Sequence, residues 1–125
     1  MADKDFLPAK TYRDLVVWQK AHALAIKLFE MNLPQHAVTT KLREYSLQCA
    51  ADIVVSYRKK NRNEKLSHLQ SALEHVEHMR YYAHVASDLG LLSSEPIDAH
   101  INEVGFPLNN YHKSITKPRD NEAYP

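Results

Sequence analysis

The 125-residue chain contains only 2 glycines and a single cysteine. Scarce glycine leaves few positions for the positive φ that tight hairpin turns need, while the good helix formers Ala, Leu, Lys, Glu and Gln are plentiful. Cys49 has no partner for an internal disulfide, and no paired Cys/His spacing indicates a structural zinc site. These absences favour an all-α protein in a reducing compartment.

Long apolar runs and a strong net charge are also missing. No stretch approaches the run of about 18 apolar residues that a membrane-spanning helix needs. The first ten residues lack the apolar segment of a signal peptide. The formal net charge is +1, so any site for a polyanion has to be a local patch. We therefore expect a cytoplasmic protein without a membrane partner.

The apolar residues that are present follow a helical period in four segments, which predicts an all-α, up-down-up-down four-helix bundle over residues 11–116. We expect residues 1–10 and the polar, proline-flanked tail 117–125 to be disordered. In the first helix, Thr11 and Asp14 form a variant of the capping box, and the pattern runs to about Met31. The second helix is predicted from residue 39 or 40 to about residue 60.

The third and fourth helices carry clearer boundary signals. Asn63 is predicted to cap the start of the third helix, and Gly90 is predicted to end it. Ser94 is predicted to cap the fourth helix, with Pro96 in its first turn. The apolar stripe stays in phase on both sides of Pro107, which favours one continuous, kinked helix over two separate ones.

The first helix has two apolar stripes on nearly opposite sides. One stripe consists of Leu15, Trp18, Ala25 and Phe29, and the other of Val17, Leu24, Leu28 and Met31. A helix in a monomeric bundle needs only one such stripe. The second stripe indicates either a partner chain or a helix held between two neighbours of its own bundle. We assign the Val17, Leu24, Leu28 and Met31 stripe as the candidate oligomer interface.

The segment YRDLVVWQKAHALA at 12–25 resembles the opening helix of the four-helix-bundle proteins known as the 23S rRNA-intervening sequence protein family. The match lies in an Asp-Leu pair, a Val-Trp-Gln-Lys-Ala run and a later Leu-Ala pair, and the DLGLL segment at 88–92 follows the family order. The resemblance covers roughly residues 11–92. At 52–56, however, this chain has Asp-Ile-Val-Val-Ser where the family commonly has Asn-Ile-Ala-Glu-Gly, which makes it a divergent member.

This resemblance implies a four-helix bundle that assembles into a homo-oligomer, with a ring of five subunits known in the family. It also implies a partner that is RNA or a nucleic-acid enzyme, because some relatives are encoded within ribosomal RNA genes and others accompany a reverse transcriptase. No catalytic residues are associated with the family, so none are carried over to this chain.

Eight histidines are present, and His68, His75 and His78 lie on one face of the third helix. Two imidazoles one turn apart can share a metal ion, but a catalytic zinc site needs three ligands in a shielded pocket, and no HExxH motif occurs. We interpret these histidines as a solvated polar face and assign no metal ligands. A metal-binding protein that uses them is kept as an alternative.

Other reactive side chains fall on apolar stripes. His22 is expected to be a buried, neutral histidine, and Cys49 and Trp18 are expected in the core. We find no phosphate-binding glycine loop, nucleophile elbow or catalytic triad in the sequence. We therefore predict no catalytic residue, no cofactor and no small-molecule substrate.

Basic residues crowd the segment SYRKKNRNEK at 56–65. It contains the candidate nucleic-acid-binding residues Tyr57, Arg58, Lys59, Lys60, Arg62 and Lys65. Arginine and lysine can contact phosphates, and Tyr57 can stack on a base. Basic residues near a helix C-terminus are, however, also ordinary partners of the helix dipole. The sequence thus predicts a non-enzymatic homo-oligomeric scaffold that binds RNA or a nucleic-acid-processing partner, with a protein-protein adaptor as the alternative.

Overall fold

The computed structural model describes residues 10–116 as four α-helices without a strand. A 3-10 turn at Tyr12–Asp14 precedes α1 (Val16–Glu30), α2 (Ala37–Arg58), α3 (Arg62–Asp88) and α4 (Ser94–Thr116). Each helix packs against the next, and α4 also packs against α1. The predicted all-α four-helix bundle is confirmed.

The core is formed by the inner faces of all four helices. Its largest fully buried side chains include Leu28, Leu42, Ile53, Leu69 and Ile101. Small buried residues such as Ser46 and Ala72 lie among them. Small side chains of this kind permit neighbouring helices to approach closely.

The capping box at Thr11 is present but does not begin α1. The Thr11 hydroxyl accepts from the Arg13 amide, and Asp14 Oδ2 accepts from the amides of Lys10 and Thr11 at 3.0 and 3.2 Å. Leu15 then adopts an extended backbone, so α1 begins only at Val16. Lys10 therefore belongs to this turn, while the rest of the predicted disordered N-terminus and the tail 117–125 lie outside the described residues.

Two other helix starts differ from the prediction for similar local reasons. The His36 ring accepts from the Val38 amide at 3.0 Å and starts α2 at Ala37. Asn61, not Asn63, caps α3, because its side-chain oxygen accepts from the Glu64 amide at 3.1 Å. In each case the helix starts two or three residues earlier than predicted.

The end of α3 agrees with the prediction, whereas α4 includes Ser94 as its first residue instead of having it as a cap. Gly90 has a φ of 73° and ends α3 in a Schellman motif, where the amides of Gly90 and Leu91 donate to the carbonyls of Ser87 and Ala86. The fourth helix begins at Ser94 and continues through Pro107 without interruption, as its unbroken stripe predicted.

Candidate functional site

The two apolar stripes of α1 differ in how far the bundle buries them. Val17, Leu24 and Leu28 are buried in the core of the single chain, and Met31 packs against that core. The prediction of an oligomer interface is therefore wrong for Val17, Leu24 and Leu28, because a partner chain could reach these buried side chains only if the bundle opened. Met31 is half-buried, and its assignment to an interface stays a prediction.

The other stripe is divided between the core and the surface, and its members Leu15 and Trp18 are partly buried against the core. Ala25 is buried, Trp18 is half-buried, and Phe29 is 50% exposed. His22, predicted to be buried, is exposed and stacks on Trp18 with ring centroids 4.7 Å apart. The neighbouring Ile26 is 45% exposed.

The apolar surface extends from α1 onto α2. The guanidinium of Arg43 lies 5.6 Å from the Phe29 ring centre, which places Phe29 beside the first turns of α2. Leu47, one turn after Arg43, is 49% exposed. Leu47 therefore lies on the same side of α2 as Arg43, which reaches across to Phe29 of α1. We call Trp18, Ile26, Phe29 and Leu47 the outer α1–α2 face.

The predicted nucleic-acid residues divide into two groups at the α2–α3 junction. Arg62 Nε donates to the Ile115 carbonyl at 2.8 Å and Arg62 Nη2 to the Thr116 carbonyl at 2.5 Å. Lys65 Nζ donates to the carbonyls of Ser56 and Tyr57 at 3.2 and 3.1 Å. These two side chains satisfy carbonyls at the ends of α4 and α2, so their charges are already engaged within the bundle.

The remaining basic residues of the junction are exposed or partly exposed. Arg58 and Lys60 are exposed and Lys59 is half-buried. Tyr57 is half-buried, and Lys65 Nζ lies 5.8 Å from the centre of its ring. A base that stacked on Tyr57 would have to compete with this packing. The junction therefore presents positive charges for phosphate contacts, but its tyrosine ring is already partly covered.

His68, His75 and His78 of α3 contact residues of α2 and are not a fully solvated face. Asp52 of α2 is placed between two of them, with His75 Nε2 3.2 Å from Oδ2 and His68 Nδ1 3.8 Å from Oδ1. The Tyr45 ring stacks on His75 and contacts His78, with centroids 5.5 and 4.5 Å apart.

The prediction of a solvated histidine face is corrected for His75, whose side chain is 19% exposed. Its Nδ1 is buried and has no hydrogen-bond partner among residues 10–116. The described residues hold no group of three or more His, Cys, Asp or Glu side chains arranged to bind a metal ion. The arrangement therefore joins α2 to α3 through a carboxylate shared by two imidazoles.

Cys49 is fully buried on the inner side of α2, as predicted. Burial, with a smaller contribution from the negative charge of Asp52, raises the pKa of the Cys49 thiol from 9.0 to about 12. The thiol thus stays protonated at neutral pH and cannot act as a nucleophile without local opening.

Two open grooves complete the surface. The α1–α4 groove is lined by Lys20, Lys27 and His100 among others, with Lys27 Nζ 3.2 Å from His100 Nε2. In the α3–α4 groove, Arg80 crosses Gly105, where a Cβ would lie 2.7 Å from Arg80 Nη2. Glycine at 105 therefore gives the arginine room to bond Asn102 on the same helix.

Comparison with known proteins yields no relative: no family model, no curated protein and no solved structure matches this chain. Among the described residues, no helix is both long enough and apolar enough to cross a membrane.

Proposed function

We propose that this protein is a non-enzymatic, homo-oligomeric scaffold that binds nucleic acid at one end of its bundle. The observation that carries the self-association is the outer α1–α2 face. Exposed apolar side chains are usually scattered singly, whereas Ile26, Phe29 and Leu47 lie on two helices that pack together, and we interpret them as parts of one interface. The buried Cys49 thiol, with its raised pKa, supports a role without covalent catalysis.

Nucleic-acid binding rests on Arg58, Lys59 and Lys60, the junction cations that do not cap a helix. Several copies side by side would multiply their phosphate contacts, and multivalent contacts raise affinity without any new chemistry. A protein-protein adaptor without nucleic acid would use the same outer face but would not need the exposed cations.

The resemblance of residues 11–92 to the 23S rRNA-intervening sequence protein family also supports RNA or a nucleic-acid enzyme as the partner. We place the chain in that family as a divergent member, with a ring of five as the implied stoichiometry and the cytoplasm as its compartment. The bundle fold and the position of the Trp18 segment at the start of α1 support this placement.

Two measurements test the proposal. Sedimentation equilibrium at high protein concentration is expected to give a multiple of the monomer mass, and a monomer would contradict the scaffold. Fluorescence anisotropy with labelled RNA at two salt concentrations is expected to show binding that weakens steeply with salt. Absence of RNA binding by an oligomeric protein would favour the adaptor.

A further inference from the structure

The end of the bundle that contains the α2–α3 junction also includes the end of α4 and the N-terminal 3-10 turn. Hydrogen bonds from Arg62 to the carbonyls of Ile115 and Thr116 hold the end of α4 against the start of α3. The 3-10 turn at Tyr12–Asp14 packs against α1 and α2. The N-terminal turn, the α2–α3 junction and the end of α4 therefore share one surface, although they are far apart in sequence.

Charge is distributed very unevenly between the two ends. We compare residues in the first or last five positions of each helix and in the adjoining turns. At the junction end the basic residues are Lys10, Arg13, Lys20, Arg58, Lys59, Lys60, Arg62, Lys65 and Lys113, and the carboxylates are Asp14 and Glu64. At the opposite end the carboxylates are Glu30, Asp88, Glu95 and Asp98, and the basic residues are Lys27 and Lys41.

This polarity is compatible with the formal net charge of +1 because the helices alternate in direction. Basic residues from both termini and from the middle of the described chain gather at one end, while the helix ends that carry Glu30, Asp88, Glu95 and Asp98 gather at the other. Charges more than about 8 Å apart are largely screened at physiological ionic strength, so a ligand at the junction end meets the local excess and not the net charge.

Many of the cations at this end are available to a ligand. Lys20, Arg58, Lys60 and Lys113 are exposed, and within residues 10–116 their side chains have no hydrogen-bond or ion-pair partner. One carboxylate, Asp14, is occupied by the amides of the N-terminal turn. The local field nevertheless stays positive because nine basic residues at this end outnumber the two carboxylates, Asp14 and Glu64.

From this distribution we infer that the whole junction end, including Arg13 and Lys113, binds the phosphate backbone of a nucleic-acid duplex without reading its bases. This inference rests on the proposed nucleic-acid function and extends it from one loop to three segments. The aromatic rings at this end favour backbone contact over stacking. Tyr57 packs under Lys65, and Tyr12 meets Trp18 edge to face with centroids 4.9 Å apart.

The test compares two double variants of the full chain that each remove two positive charges. Arg13→Gln with Lys113→Gln alters the junction end outside the loop, and Lys27→Gln with Lys41→Gln is the matched control at the opposite end. Binding to a labelled 20-base-pair RNA duplex is measured by anisotropy over a salt series. A triple variant, Arg58→Gln, Lys59→Gln and Lys60→Gln, reports on the loop itself.

We expect the Arg13 and Lys113 variant to bind about tenfold more weakly at low salt and to lower the salt slope by roughly one to two. The control is expected to change affinity less than about twofold, and DNA and RNA duplexes of unrelated sequence are expected to bind alike. Circular dichroism checks that each variant folds.

The outcomes separate the two proposals. If the triple variant loses binding while the Arg13 and Lys113 variant binds like the wild type, the extended surface is wrong and the proposed function stands. If the wild-type protein binds neither duplex nor single-stranded RNA, the proposed nucleic-acid function fails as well. Binding to phosphatidylserine vesicles in place of the duplex would also overturn the inference.

Discussion

The two faces of α1 have similar composition and opposite environments. Leu28 is 0% exposed in the core, whereas Phe29, the next residue, is 50% exposed on the outer α1–α2 face. The inner face is covered by the chain's own helices, and the outer face still presents Ile26 and Phe29 to solvent. Apolar residues on a helix thus mark surfaces that favour burial. Only the packing of the neighbouring helices determines which of these surfaces is buried within the single chain.

The largest effect is expected from the inner face. Leu28→Ala should lower the free energy of unfolding by about 2 to 5 kcal/mol, because it removes buried apolar contacts and leaves a cavity. Phe29→Ala is the comparison variant, and at a concentration where the protein is monomeric it should cost clearly less, because half of the side chain is already exposed in the folded chain. Urea denaturation measures both, and equal costs for the two variants would contradict the assignment of the faces.

A second contrast concerns the chemistry of the inner face of α2. Because the pKa of Cys49 is raised from 9.0 to about 12, its thiolate fraction at pH 8 should be about a thousandfold lower in the folded protein than in the unfolded chain. Iodoacetamide should therefore modify the native protein slowly and the urea-unfolded protein rapidly. Equal rates under native and denaturing conditions would place Cys49 at an accessible site.

The basic junction also contains one arginine that holds the bundle together and one that is exposed, and we expect their substitutions to change stability less than Leu28→Ala does. Arg62→Ala should cost about 1.5 to 3 kcal/mol of stability, since it leaves carbonyls at the end of α4 without their charged donor. Arg58→Ala should cost less than about 0.5 kcal/mol. Thermal denaturation of the two variants distinguishes them, and a stability loss at Arg58 would show that the exposed cations also hold the bundle together.

Local patterns in the sequence were enough for the fold. The helical period, the scarcity of glycine and the stop at Gly90 predicted the number and order of the helices. The path of α4 through Pro107 was also predictable, because its apolar stripe keeps one phase on both sides of the proline. These signals act within a few residues and do not depend on the rest of the chain.

Long-range partners could not be predicted. The carbonyls at the end of α1 accept from Arg43, which stands 15 residues after Leu28, and those at the end of α4 accept from Arg62, which is 53 residues before Ile115. A basic residue near a helix end has the same local sequence whether it caps another helix or remains in solvent. The concentration of charge at one end likewise depends on which helix ends meet.

The choice between the stripes of α1 failed for the same reason. Both stripes were visible, but the sequence does not state which one meets the core. His22 was expected to be buried because it shares a stripe with Trp18, yet that stripe is the partly open one. The capping error at Asn63 was smaller, since Asn61 has the same side chain two residues earlier.

The most direct test of the central claim is the solution mass of a variant with the outer face altered. Ile26→Glu with Phe29→Glu places charge on the outer α1–α2 face, and Val16→Glu with Phe106→Glu is a matched control at exposed apolar residues elsewhere. Sedimentation velocity is expected to give an oligomer for the wild type and the control and a folded monomer for the outer-face variant. A wild-type monomer, or an oligomer that the outer-face variant leaves intact, would contradict the account.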